Sequence, residues 1–282
     1  MSESAFDDYL TAWREANPQR AVAWLFLRPG ERTCFGALAA LEHEWLKAIH
    51  EVSEPQVAAA KLGWWREEMQ RALEGQARHP LTQPLFADAR ARRVPLAFWT
   101  APVDAALRLL MAPPPADFAA QCESAAPLAR ALAELELQVW FDAQVESGRA
   151  AQVTLLARLV ANLRALEAEI AHARSPLPMN LLARHALSID GLAIDSPARR
   201  EALRDYIGDL QRGISEAAKM PGPLGLLRAV ELQNDLSALE RAAHADDPLQ
   251  ALRGIPHGPG NVLKTWRAAR TWRKLARNQT NP

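Results

Sequence analysis

Acidic residues are missing from the last part of this chain: none follows Asp247, whereas Arg253, Lys264, Arg267, Arg270, Arg273, Lys274 and Arg277 do. Other shortages exclude whole classes. Tyrosine (2) and glycine (13) are scarce in 282 residues, which disfavours a strand-rich fold. The two cysteines, Cys34 and Cys122, stand far apart and in no CxxC spacing, so they read as reduced residues in apolar helices. The longest apolar run, Ala21 to Leu27, falls short of the roughly 20 residues that a membrane-spanning helix needs. Met1 to Asn17 carries Glu3, Asp7, Asp8 and Glu15, unlike a signal or transit peptide. The expected place is the cytoplasm, at most peripheral to a membrane. No histidine falls in HExxH or another zinc spacing, and no Gly-rich phosphate loop occurs, so no metal-binding residues are assigned. Lys+Arg and Asp+Glu balance at 33 each, which gives no general pull toward nucleic acid.

Alanine, leucine, glutamate and arginine dominate, and apolar residues recur at helical spacing almost everywhere. The spacing predicts helices over 4–16 and 20–28, broken at Asn17-Pro18 and Pro29-Gly30, and then a long one over 32–51. Pro55 opens the next, with Ser53 as its cap, and that helix stops before Gly75. Helices over 81–91 and 95–111 end at Pro113-Pro114-Pro115. Further helices are predicted over 116–146, with Pro127 a candidate bend, and over 150–173, 179–187, 197–218, 222–243 and 261–277. No repeat or low-complexity linker interrupts them, so residues 1–282 read as one helical domain.

One stretch carries more than periodicity: Leu62-Gly63-Trp64-Trp65-Arg66-Glu67-Glu68-Met69, followed by His79-Pro80. A later stretch reads Leu159-Val160-Ala161-Asn162-Leu163-Arg164-Ala165, then Glu169, Arg174, Leu177-Pro178, Leu181, Leu182 and His185. In these residues and their spacing the chain resembles the squalene/phytoene synthase family over nearly its whole length. The resemblance implies an all-α isoprenoid-synthase bundle around a central cavity, with Trp65, Arg66, His79, Arg164 and Arg174 as family motif positions. It implies the family activity, head-to-head joining of prenyl diphosphates on Mg²⁺ held by two Asp-rich helix motifs.

The departures fall on that chemistry. By spacing, the first motif should lie at Leu46, Lys47 and His50, none of them a carboxylate, and Lys47 would repel Mg²⁺. In the second motif Ala165 stands at the first aspartate and Glu169 at the second, while Asn162 lies one residue late. One carboxylate cannot supply the several oxygens a Mg²⁺ cluster takes. Retained scaffold with erased motifs is similar to a degenerate branch of the family, whose best-known relatives are mitochondrial complex I assembly proteins. Leu41-Glu42-His43-Glu44-Trp45 and Asp247-Pro248-Leu249 fit that branch.

Two functions therefore stand side by side. The first is a non-catalytic protein that binds an isoprenoid or lipid, or a protein partner, without a cofactor. The second is a working prenyltransferase that uses unconventional ligands and Mg²⁺. The acidic pairs Asp142/Glu146, Asp205/Asp209 and Glu231/Asp235 read as solvated helix faces, and His43 with His50 as a weak metal alternative. Glu67 and Arg71 read as a surface pair, and Arg66 as a bridge inside the fold. The last helix combines Trp266 with Arg267, Arg270, Arg273 and Lys274, which reads either as a terminal helix packed on the body with a basic outer face or as an interaction surface for an anionic membrane or an acidic partner.

Overall fold

The structure is a computed structural model that describes residues 3–52, 54–141, 146–254 and 259–279. Ser53 and Asp142, named above as a cap and a paired acid, lie outside the described residues, as do the side chains of Leu275 and Arg277. The chain runs α1 (Glu3–Ala16), α2 (Pro18–Ala21), a 3₁₀ turn (Val22–Phe26), α3 (Pro29–His50), α4 (Pro55–Leu73), α5 (Thr82–Ala87), α6 (Ala89–Arg93), α7 (Leu96–Leu110) and α8 (Phe118–Phe141). It continues through α9 (Gly148–Arg164), α10 (Leu166–Ala171), α11 (Met179–Arg184), α12 (Pro197–Lys219), α13 (Leu226–Ala243), α14 (Pro248–Arg253) and α15 (Pro259–Gln279). Among the described residues there is no strand, and no helix is long and apolar enough to cross a membrane.

Helix starts follow local chemistry. Pro29, Pro55, Pro197 and Pro248 each open a helix, where the missing N–H has no intrahelical partner to lose. Ser196 caps α12 by accepting from Arg199 N, and Asp247 caps α14 by accepting from Leu249 N and Gln250 N. Two expected helices are broken and one starts late, each where the chain has a reason. The segment expected over 81–91 divides at Asp88, whose side chain caps α6. The segment expected from 222 begins at 226, because Pro221-Gly222-Pro223 cannot continue a helix and Gly222 takes φ +120°. The segment expected over 150–173 ends its first part at Arg164, whose carbonyl accepts from Arg253 Nε at 2.7 Å.

α8 packs between α7 and α9, α4 lies on α7, and α13 contacts α9, α12, α14 and α15. Gly36 allows the Trp24 ring to lie directly on α3, since a Cβ there would overlap that ring. Trp140 of α8 stacks on Phe35 of α3 and meets Trp272 of α15 edge-on, which ties the last helix to the body.

A charged cluster is embedded in the apolar core of the bundle. Arg228, 2% exposed, donates from Nε to Glu136 at 2.9 Å, from Nη1 to Glu231 at 3.2 Å and from Nη2 to Glu42 at 2.7 Å. Arg20 adds a second guanidinium on Glu42 at 3.0 Å. Burial alone would push the Glu42 carboxyl up, but Arg20 and Arg228 outweigh it and hold it at about 2. Glu136 goes the other way: burial raises it, and its Oε1 has no hydrogen-bond partner. Asp235 is fully buried against Arg164 at 2.7 Å, and burial lifts its carboxyl to about 6. Glu231 and Asp235 are therefore not a solvated face. They share a stripe of α13 with Arg228, Ala238 and Ala242, and that stripe points inward. Asp205 and Asp209 do sit outside, paired with Arg184 and Arg212.

Candidate functional site

The motif positions separate into two groups. Trp65 is buried in α4, with its ring edge-on to His79 at 4.6 Å, whereas Trp64 beside it is 41% exposed. Arg66 is not inside the fold. Its side chain is exposed and reaches Asp104 of α7 at 3.6 Å across the surface, because Trp65 takes the inward direction at that turn. The residue that does anchor the turn is Glu68, fully buried. It accepts from Arg78 N at 2.7 Å, His79 N at 2.9 Å and Thr82 Oγ1 at 2.6 Å. Burial would raise its carboxyl, but these donors and Arg71 lower it. An acid eleven residues before a His-Pro break was the available signal for this cap. Glu67 and Arg71 form the expected surface pair at 3.3 Å. Arg164 is held by Asp235 and the Leu252 carbonyl, a structural position between α9, α13 and α14.

The second group meets at one cavity of about 400 Å³. It lies where α3 and α7 end and α8 begins, closed below by α9 and by the segment from α10 to α11. Its walls are mostly apolar, including Leu109, Leu110, Pro113, Leu177 and Met179, and its polar floor comprises His50, Arg158, Asn162, Glu169 and Arg174. His50 and Glu169, which the sequence places in opposite motifs, are joined directly: His50 Nδ1 lies 2.9 Å from Glu169 Oε1. Arg174 Nε donates to Glu169 Oε2 at 2.9 Å, and its Nη2 reaches the His50 carbonyl. The loop that returns Arg174 is a left-handed helix end. Ala173 takes φ +55°, and Arg174 N bonds back to the Glu169 carbonyl at 2.9 Å.

Arg158 Nη2 lies 3.4 Å from His50 Nε2, so the ring accepts there and donates from Nδ1 to Glu169, which requires the neutral form. Burial depresses the His50 pKa in the same direction. Leu46, Lys47 and Ala165 do not line the cavity. Leu46 packs half-buried on the core, Lys47 pairs with Glu44 at 3.5 Å and Glu51 at 3.8 Å, and Ala165 is exposed. Ala165 would have followed Arg158 and Asn162 on the same helix face had α9 not ended one residue earlier.

These donors do not fit a Mg²⁺ cluster. Glu169 is the carboxylate on the cavity wall, and both of its oxygens are already bound by His50 and Arg174. Deeper in the bundle, Glu42, Glu136 and Glu231 do converge from three helices, but on the guanidinium of Arg228. Among the described residues no group of three or more His, Cys, Asp or Glu is placed to hold a metal ion.

On α15, Thr265, Ala269 and Trp272 face the body while Val262, Leu263 and Trp266 remain exposed beside Arg267, Arg270 and Lys274. Arg273 is not part of that surface: it is half-buried and donates to the Phe26 carbonyl.

Residues 13–230 match the family model described as squalene/phytoene synthase. The fold is similar to squalene synthase HpnC from Alicyclobacillus acidocaldarius, at 14% identity and TM-score 0.57, over 100% of this chain and 98% of that one. It is also similar to a dehydrosqualene synthase solved with a ligand, at 9% identity and TM-score 0.67, over 97% and 98% of the two chains. No curated protein sequence matches it.

Proposed function

Because this chain belongs to the squalene/phytoene synthase family, we propose that it uses the family scaffold for binding and not for prenyl transfer. The observation that carries this reading is the clasp on Glu169, whose two oxygens are taken by His50 and Arg174. Prenyl transfer needs oxygens free for divalent ions that neutralise the departing diphosphate. A wall carrying two arginines and one neutralised acid offers none. What the cavity offers instead is an apolar lining for an isoprenoid or lipid tail. The test is the metal dependence of farnesyl diphosphate binding, measured by calorimetry. Mg²⁺ should leave the affinity unchanged within about two-fold, whereas tightening of about ten-fold or more, worth ~1.4 kcal/mol, would restore the enzyme reading.

The same reading gives α15 a role at a membrane or a protein partner, in line with the resemblance to the complex I assembly relatives. Trp266 and Leu263 are exposed among Arg267, Arg270 and Lys274, and no acid lies near them in sequence. Such a helix suits an anionic surface. Binding to phosphatidylglycerol vesicles should weaken steeply with salt, since exposed charges are screened over about 8 Å at physiological ionic strength. Changing Arg267, Arg270 and Lys274 together to glutamine should abolish it while moving stability by no more than about 0.5 kcal/mol. Unaltered vesicle binding by that variant would remove α15 from the proposal.

A further inference from the structure

Most of the basic side chains in and near the cavity have a partner already. Arg174 is bound to Glu169 and the His50 carbonyl, His172 lies against the carbonyls of Ala168 and Glu51, and Lys47 is paired with Glu44 and Glu51. Arg158 differs. It is 7% exposed, lines the cavity and has no carboxylate partner; its hydrogen-bond contact is the acceptor nitrogen of His50. Burial works against the charge on Arg158, and Glu42, Glu231 and Glu169 offset it only through space, so the guanidinium facing the cavity has no bonded anion of its own.

Two further groups complete the floor. Asn162 lies one helical turn after Arg158 on the same face of α9, and Ser124 faces them from α8. No protein group among the described residues bonds either side chain. Arg158, Asn162 and Ser124 thus present a guanidinium, an amide and a hydroxyl, all able to donate to one ligand. Glu169 does not oppose an anion here, because His50 and Arg174 surround its charge. The neutral His50 ring accepts from Arg158 and so aims the guanidinium without competing as a second cation.

We propose that the cavity binds an amphiphile with a singly charged anionic head, a carboxylate or a phosphodiester, with Arg158 as its counter-charge and Asn162 and Ser124 as further donors. The tail lies along Leu109, Leu110, Pro113, Leu177 and Met179. A single free guanidinium matches one negative charge, which separates this ligand from a prenyl diphosphate. The inference rests on the binding reading above and narrows it to a head group.

Calorimetry on the full chain in the presence of a chelator tests it with four probes: decanoate, decanol, lysophosphatidylglycerol and farnesyl diphosphate. Decanoate or lysophosphatidylglycerol should bind about ten-fold or more tightly than decanol, the range expected for a hydrogen bond to a charged group, and the tighter of the two names the head. Arg158→Gln should bring the anionic probes to the level of decanol and leave decanol unchanged. Equal affinity for decanoate and decanol overturns the head-group assignment while keeping the apolar cavity as a binding site. Failure of all four probes to bind overturns both readings. Metal-free farnesyl diphosphate binding tighter than either single anion overturns the single charge. The comparison of probes on the unsubstituted protein decides the matter even if Arg158→Gln does not fold.

Discussion

Replacing Arg228 with methionine should cost about 3–5 kcal/mol at neutral pH, because it leaves buried carboxylates without their shared counter-charge. Glu42, Glu136 and Glu231 all bond this one guanidinium; its loss would leave Glu42 and Glu231 paired with Arg20 and Glu136 with no bonded cation among the described residues. Set against a total stability of about 5–15 kcal/mol, a loss of that size leaves little margin. The pH dependence distinguishes this cause from simple loss of packing. In the unsubstituted protein the Glu42 carboxyl sits at about 2, below its ordinary 4.5. Its contribution is therefore complete above pH 4.5 and is lost as pH falls toward 2. In the variant the sign reverses. With Arg228 gone, burial pushes these carboxyls up, so lowering the pH from 7.5 to about 5 should recover stability as they take up protons. Urea melts at the two pH values measure both effects. A variant as stable as the parent at pH 7.5, or one that weakens further at pH 5, would show that Arg228 is not the keystone of the centre.

The helices were legible because they are written in local terms. Pro55 at a first turn, the stop before Gly75 and the apolar stripe of α3 each act within one or two turns of chain. The Glu67–Arg71 pair was legible for the same reason. The charged centre was not. Glu42 and Arg228 are 186 positions apart, and helical spacing gives the direction of a side chain without naming what it meets. Glu231 and Asp235 had one local warning, since Ala238 and Ala242 continue their stripe, and a stripe that ends in alanines faces a close neighbour. The motif positions failed in a more specific way. Leu46, Lys47, His50, Ala165 and Glu169 were placed together by resemblance, and only His50 and Glu169 meet. The end of α9 at Arg164 turns Ala165 out to solvent, and the arginine that captures the Arg164 carbonyl comes from α14. Arg158 carried no motif at all. It lies a turn before Asn162 in a run of leucines and alanines, and only the packing of α8 against that run and the approach of His50 from the end of α3 make it the floor of a cavity.

Loss of turnover is the largest effect expected of this chain relative to working members of its family. Electrostatic stabilisation of a departing diphosphate by metal ions is the main thing such a site supplies. Here the first motif presents Leu46, a paired Lys47 and a neutral His50, and the second presents an exposed Ala165 and a clasped Glu169. Removing most of several charge-stabilising contacts, each worth about 10²–10³ in rate, leaves nothing measurable above the uncatalysed reaction. The decisive measurement is product formation by the purified chain with Mg²⁺ and farnesyl or geranylgeranyl diphosphate. Diphosphate release should stay at the level of a protein-free control, at every protein concentration. Steady release that scales with protein, accompanied by squalene or phytoene, would contradict the binding reading outright.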